Sequence, residues 1–243
     1  MYSEMIFYVL LLLVAFLYGS VGHGGASGYL ALMTLFSFAP LIMRPTSLLL
    51  NILISAVAFI QYYRGGYFKW KLFWPFAVAS IPAAFIGGLY ILEDGIYKKV
   101  LAGLLILSVV KLLGFKQSQN KPLMKQYLSL SLIFGAVIGL FSGMIGIGGG
   151  IILSPLILLL NWADLKQTAA VSALFIFTNS IAGFGGLLTS GIKVSTTIWL
   201  MLAIAFIGGL AGAYLGANKF NTEKLKFLLS FVLVMAAVKL YFT

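Results

Sequence analysis

Cysteine is absent from this chain and histidine occurs once, at His23. The first absence excludes disulfides, thiolate nucleophiles and cysteine metal sites. The second excludes a cluster of histidine ligands. Acidic residues are scarce as well, with five Asp and Glu against sixteen Lys and Arg. Glu4, Glu93, Asp94, Asp164 and Glu223 all fall at the ends of apolar segments. With no carboxylate central to a span, neither a carboxylate proton relay nor a sodium site held by a formal negative charge is expected. A lone histidine without cysteine or buried carboxylates offers little acid–base or nucleophilic chemistry. The chain therefore reads as a non-enzyme that needs no cofactor or metal.

Charge of either sign is rare. Only 9% of the 243 residues are charged, whereas 62% are hydrophobic, and the mean hydropathy is +1.09. A soluble domain carries about 25% charged residues, so this chain cannot cover itself with polar surface. Its repeated apolar stretches predict an all-α polytopic membrane protein with the lipid bilayer as its solvent. The alternation of an outer-membrane barrel is missing. The net charge of +11 does not point to nucleic acid, because the basic residues sit in short gaps between apolar runs, where they set topology. The start, "MYSEMIF", has no basic n-region or small-residue cleavage site, which predicts that the first apolar run is retained.

Ten helical segments are expected, near 5–21, 25–40, 46–63, 71–92, 97–114, 127–145, 149–161, 167–188, 195–217 and 223–241. The most polar stretch, "KLLGFKQSQNKPLMKQY", lies between the fifth and sixth. It suggests a division into residues 1–115, a cytoplasmic linker 116–126, and residues 127–243. The halves match each other. At an offset of 124, Gly19, Gly22, Gly24 and Gly25 fall on Gly143, Gly146, Gly148 and Gly149. After a one-residue slip, Ser47, Ser55, Phe59, Gly66 and Gly87 fall on Ser172, Ser180, Phe184, Gly191 and Gly212. Placing the linker inside puts eleven basic residues on the cytoplasmic side and Arg44, Lys98, Lys99, Lys193 and Lys239 outside, with both termini outside. Each half then makes an odd number of crossings, which predicts two inverted repeats of about five segments. The first two segments of each repeat are read as short or re-entrant.

Two glycine clusters, "VGHGGASG" (21–28) and "MIGIGGG" (144–150), open the second and seventh segments. Short, Gly-interrupted segments in matching positions of two repeats point to a transporter's binding site. A helix N-terminus presents backbone N–H groups and a partial positive charge, which favour an anion. The candidate anion-binding residues are Gly22, His23, Gly24 and Gly25 in the first cluster and Gly146, Gly148, Gly149 and Gly150 in the second. Thr46, Ser47 and Asn51 on the third segment, with Ser172 and Asn179 on the eighth, complete the set. Asn51 and Asn179 fit a cavity lining and interhelical hydrogen bonding equally well. His23 fits an anion contact, a titrating group in proton coupling, or a polar cap of the loop. Interhelical hydrogen bonding is the favoured reading for Ser55 and Ser180. Close helix packing is favoured for Gly139-x-x-x-Gly143 and Gly208-x-x-x-Gly212, and a snorkelling interfacial anchor is favoured for Arg44 over anion recruitment. On this reading Gly149→Val abolishes anion binding and leaves the protein folded.

The run "GLFSGMIGIGGGIILSPLILLL" (139–160) resembles the second-repeat signature of the sulfite exporter family TauE/SafE, and "VGHGGASGYLALMTLFSFAP…MRPTSLLLN" looks like its first-repeat form. The resemblance implies a bacterial inner-membrane transporter of sulfite, thiosulfate or organosulfonates. Pro45-Thr46-Ser47-Leu48 matches the family's Ala-Thr-Ser-Leu run, whereas Ala170-Val171-Ser172-Ala173 lacks the threonine. Protons are a candidate coupling ion. An anion channel or uniporter on the same scaffold, and a non-transporting membrane subunit, are the alternatives. The oligomeric state is not readable from the sequence.

Overall fold

The computed structural model describes residues 2–21, 25–114, 123–192, 196–219 and 222–242. They form ten helices: α1 (Tyr2–Val21), α2 (Ala26–Leu35), α3 (Pro40–Arg64), α4 (Trp70–Leu89), α5 (Asp94–Gly114), α6 (Leu128–Ile145), α7 (Gly150–Leu159), α8 (Leu165–Thr189), α9 (Thr197–Lys219) and α10 (Thr222–Phe242). Among the described residues there is no strand. Among the described residues, four helices, α3, α4, α6 and α8, are long and apolar enough to cross a bilayer.

Only the second segment of each half is short. Helices α2 and α7 have ten residues each and so rise about 15 Å, half of a hydrocarbon core. Helices α1 and α6 have 20 and 18 residues. The short helices stop early because each ends in a turn with one non-glycine residue in the left-handed region, Ser37 (φ 58°) and Asn161 (φ 52°). The hydrogen bonds of the two turns also correspond. Ser37 N–H donates to Thr34 O and Phe38 N–H to Met33 O, while Asn161 N–H donates to Leu158 O and Trp162 N–H to Ile157 O. The offset is 124 throughout. It becomes 125 from α3 and α8 onwards, so the one-residue slip lies at Ala163, between these turns and the helices that follow.

Helix α3 starts earlier than expected. Ala39 is extended (ψ 146°) and Pro40 takes the first turn, where a missing N–H costs nothing. Pro45 is consequently inside the helix, and Arg44 lies in its second turn instead of in a loop before it.

Helix directions follow from glycine contacts. A Cβ built on Gly135, Gly139 and Gly143 of α6 would meet the carbonyl oxygens of Phe76, Ser80 and Ala84 on α4 at 2.6, 2.3 and 2.0 Å. Both series ascend, so α4 and α6 run parallel with their backbones in contact. Gly208 and Gly212 of α9 lie in the same way against the carbonyls of Leu12 and Phe16 on α1. These are the two small-residue motifs read as packing motifs from the sequence. Helices α3 and α8 run antiparallel: Lys166, at the start of α8, donates to the Tyr67 hydroxyl just beyond the end of α3.

Large apolar side chains such as Met5, Val78, Ile133, Ile207 and Phe231 are exposed, whereas Ser80, Ser131, Ser142, Asn179 and Ser180 are buried. Such an apolar exterior suits lipid and not water. Trp70, Tyr63, Tyr90 and Trp199 are exposed near helix ends, in keeping with an interfacial aromatic belt.

Candidate functional site

Helix α6 ends at Gly146 (φ 87°), and α7 opens after Gly148 (φ 73°) and Gly149 (φ 77°). Three left-handed residues in four positions make the turn between α6 and α7, and for most other residue types each would cost about 1–2 kcal/mol. Space is short as well. A Cβ on Gly148 would meet Ile176 Cγ2 at 2.8 Å, Asn51 Nδ2 at 2.9 Å and Ser180 Oγ at 3.3 Å. On Gly149 it would meet Ile138 Cγ2 and Phe175 Cε1, both at 2.8 Å. Gly149→Val therefore does not test ligand approach alone. Even Gly149→Ala is expected to lower stability by about 1–3 kcal/mol, from backbone strain and crowding together. A thermal melt in detergent checks this, and a wild-type midpoint would refute it.

The last carbonyls of a helix have no partner within it, and away from water each must find one. Here they are met from α3 and α5. Ser47 Oγ donates to Gly146 O at 2.8 Å and Asn51 Nδ2 to the same oxygen at 3.3 Å. Tyr97 OH donates to Ile145 O at 3.0 Å, and Arg44 Nε donates to Gly143 O at 2.9 Å. The same guanidinium reaches the end of α4, where Nη1 donates to Tyr90 O at 2.7 Å and Nη2 donates to Gly87 O and Gly88 O, each at 2.8 Å. Arg44 is thus not the snorkelling anchor expected of it. It is 4% exposed, and every described partner is a carbonyl at or near a helix C-terminus. The negative ends of α4 and α6 offset its charge.

Of the candidate residues, the structure brings together Gly146, Gly148, Gly149, Gly150, Ser47 and Asn51. Ser172 joins indirectly: its hydroxyl lies 2.9 Å from Ser154 Oγ, which donates to Gly150 O at 2.9 Å. Thr46 Oγ1 turns back to Ile42 O, and Asn179 Nδ2 to Phe175 O, each within its own helix. Gly25 caps α2 and is tight against the Tyr29 ring, 2.7 Å from where its Cβ would be. Gly22, His23 and Gly24 lie outside the described residues.

Sequence reasoning gave Ser180 an interhelical hydrogen bond, but its hydroxyl lies beside Gly148. It is buried there without a partner, as is Asn51 Oδ1. The signals were present in the spacing: Ser180 follows Ser172 by eight positions, and Arg44, Ser47 and Asn51 stand at i, i+3 and i+7, one helical face. Tyr97 carried no comparable signal.

The profile of the sulfite exporter TauE/SafE family matches residues 7–240. The chain belongs to that family. This TauE/SafE protein is 35% identical, over 93% of its length and 94% of the relative's, to the "probable membrane transporter protein y4hK" of Sinorhizobium fredii. It is 26% identical, over 89% of its length and 90% of the relative's, to the "probable membrane transporter protein YdhB" of Bacillus subtilis. A third relative, "probable membrane transporter protein MJ0441" of Methanocaldococcus jannaschii, is 23% identical over 77% of this chain and 74% of its own. No solved structure matches the chain. The TauE/SafE protein is thus a multi-pass member of a family of membrane transporters.

Proposed function

We propose that this protein is a bacterial inner-membrane carrier of a small oxyanion, bound at the second glycine turn and its counterpart in the first half. The observation that carries the reading is the convergence at Gly148. The N-terminus of α7, the partnerless hydroxyl of Ser180 and the Asn51 amide all meet there. Ser180 O–H and the second Nδ2–H of Asn51 are donors suited to an oxyanion at a helix N-terminus. Sulfite or another sulfur oxyanion or organosulfonate is the substrate class the family description suggests. The names of the relatives specify a transporter and no substrate.

The two halves, 1–115 and 127–243, are read as an inverted repeat with the linker 116–126 in the cytoplasm and both termini outside. Three observations support this reading: the matched turns at Ser37 and Asn161, the antiparallel run of α3 and α8, and the parallel pairs α4–α6 and α1–α9. A carrier is favoured over a channel because the relatives are named as transporters. It is favoured over an enzyme because a chain without cysteine and with one histidine has little acid–base chemistry to offer.

The test is uptake of radiolabelled sulfite, thiosulfate and sulfate into proteoliposomes holding only this protein, with and without a pH gradient. Saturable uptake of a sulfur anion is expected, and its response to the gradient decides whether protons couple to it. Ser180→Ala should leave the melting temperature unchanged and weaken the anion's affinity roughly tenfold, the worth of one hydrogen bond to a charged group. No uptake of any of the three anions, or uptake indifferent to Ser180→Ala, would overturn the proposal.

A further inference from the structure

Three buried oxygens near the second glycine turn have no hydrogen-bond partner among the described residues: Asn51 Oδ1 on α3, and Asn179 Oδ1 and Ser180 Oγ on α8. Their side chains are at most 1% exposed. The nitrogens fix which way both amides point. Asn51 Nδ2 donates to Gly146 O and Asn179 Nδ2 to Phe175 O, which leaves each Oδ1 as the free atom. An amide oxygen can only accept. Left bare away from water it is destabilising, so two such atoms call for an explanation. An oxyanion cannot meet them, because it has no proton to give, whereas a cation can. The three atoms also share a neighbourhood. Helices α3 and α8 run antiparallel, and a Cβ on Gly183 would stand 3.5 Å from Leu48 Cδ2. Three residues on along α3 and three back along α8, Asn51 therefore comes level with Ser180. A Cβ on Gly148 would stand 2.9 Å from Asn51 Nδ2 and 3.3 Å from Ser180 Oγ. Asn179 lies on the α8 face between Ile176, packed on Gly148, and Gly183, packed on Gly143 Cα; spacings of three and four residues put all three on one side of the helix. That side faces the end of α6.

We infer that Asn51 Oδ1, Asn179 Oδ1 and Ser180 Oγ hold a desolvated sodium ion beside the transported oxyanion, and that sodium is the coupling ion. Hard oxygen ligands suit a hard cation. The C-terminus of α6 adds its partial negative charge, and broken-helix C-termini are where inverted-repeat carriers hold sodium. A water-sized sphere does not reach these oxygens. A bare sodium ion is smaller than water, and its oxygens stand at about 2.4 Å, as calcium's do. Among the described residues no group of acidic or histidine side chains could hold a metal, so the formal counter-charge is the anion's own. The same side chains serve both ions: Asn51 and Ser180 offer N–H and O–H to the anion and their oxygens to the cation. Each ion then offsets part of the other's desolvation. By linkage, each raises the affinity for the other by the same factor. The inference rests on the carrier reading for the anion and deepens it by naming the ion that travels with it.

The test is a thermal melt of the full-length protein in detergent, in sodium chloride or choline chloride of equal ionic strength, with thiosulfate titrated into each. Sodium should raise the midpoint saturably, by a few degrees over choline. It should also lower the thiosulfate concentration for half-maximal further stabilisation roughly tenfold. Asn179→Leu removes the free oxygen at similar volume. It should melt with the wild type in choline and lose the rise in sodium. Asn179→Asp supplies a formal charge and should bind sodium roughly tenfold more tightly without thiosulfate, a change that a purely structural residue would not produce. Equal midpoints in sodium and choline, or a full sodium rise in Asn179→Leu, would overturn the inference. If Asn179→Leu does not fold, a wild-type sodium dependence in Asn179→Asp overturns it equally. The carrier reading fails separately. A protein that melts higher in sodium yet takes up no sulfur anion keeps this inference and loses that reading. A protein that takes up sulfite equally in sodium and choline, with equal midpoints, does the reverse.

Discussion

Arg44→Lys is expected to destabilise the protein by about 2–5 kcal/mol, although it keeps the charge. The guanidinium spreads four donated hydrogen bonds over carbonyls of two helices, Gly143 on α6 and Gly87, Gly88 and Tyr90 at the end of α4. Lysine offers three donors at a single point and cannot reproduce that fork. At least one carbonyl would be left without a partner away from water, and the ammonium would be buried among fewer dipoles. Arg44→Met removes the charge and takes this donor from the Gly143, Gly88 and Tyr90 carbonyls, whereas Gly87 O keeps the Tyr90 N–H, so it should be at least as severe. The readout is a fluorescence-detected thermal melt in detergent alongside the folded yield. A wild-type midpoint for Arg44→Lys would show that the guanidinium is not the clamp between α4 and α6. The clamp also bears on function, because Arg44 packs against Gly146 and so holds the turn on which the anion site is proposed.

Gly143→Val should be the second severe change, costing about 2–4 kcal/mol through overpacking at a contact that cannot yield. A Cβ there would stand 2.0 Å from Ala84 O and 2.8 Å from Gly88 N. Both are backbone atoms inside helices, so relief requires α4 and α6 to part. Parting them would weaken the neighbouring contacts at Gly135 and Gly139 and draw Gly143 O away from Arg44. Two other glycines provide controls in the same molecule. Gly103 has nothing within 4 Å of its built Cβ, and Gly185 has nothing nearer than Phe85 at 3.7 Å. Gly103→Ala and Gly185→Ala should melt with the wild type. If all three variants melted alike, close backbone approach would not be what holds the α4–α6 pair.

Much of the fold was legible along the chain. Charge depletion and apolar runs of spanning length required a bilayer, and the number of segments followed from where the runs break. The matches at offsets of 124 and 125 were visible as glycine, serine and phenylalanine identities. The structure repeats them as turns: Gly66 and Gly191 both have positive φ (73° and 84°) and each closes the helix before it. Glycine was informative because both of its uses here, left-handed φ and close backbone approach, disfavour residues that carry a Cβ. The second glycine turn was located correctly for that reason.

The partners of the polar side chains were not legible. Arg44 looked interfacial because it precedes a proline, which reads as a helix start. The structure begins α3 at Pro40 instead, and that single choice moves Arg44 from a helix entrance into the protein interior. Ser47 was picked as a donor for a ligand and Asn51 fitted a cavity lining and interhelical hydrogen bonding equally; both donate to the Gly146 carbonyl. Ser180 was assigned an interhelical hydrogen bond and is left with its hydroxyl unpaired beside Gly148. By itself the sequence determined the solvent, the helices and the position of the second glycine turn, since these depend on composition, period and local backbone energy. Which donor meets which carbonyl was decided only by the tertiary structure. Arg44 and its acceptor Gly143 are 99 residues apart in sequence, and a side chain's hydrogen-bond partner depends on what packs within about 3 Å of it, a distance that sequence separation does not encode.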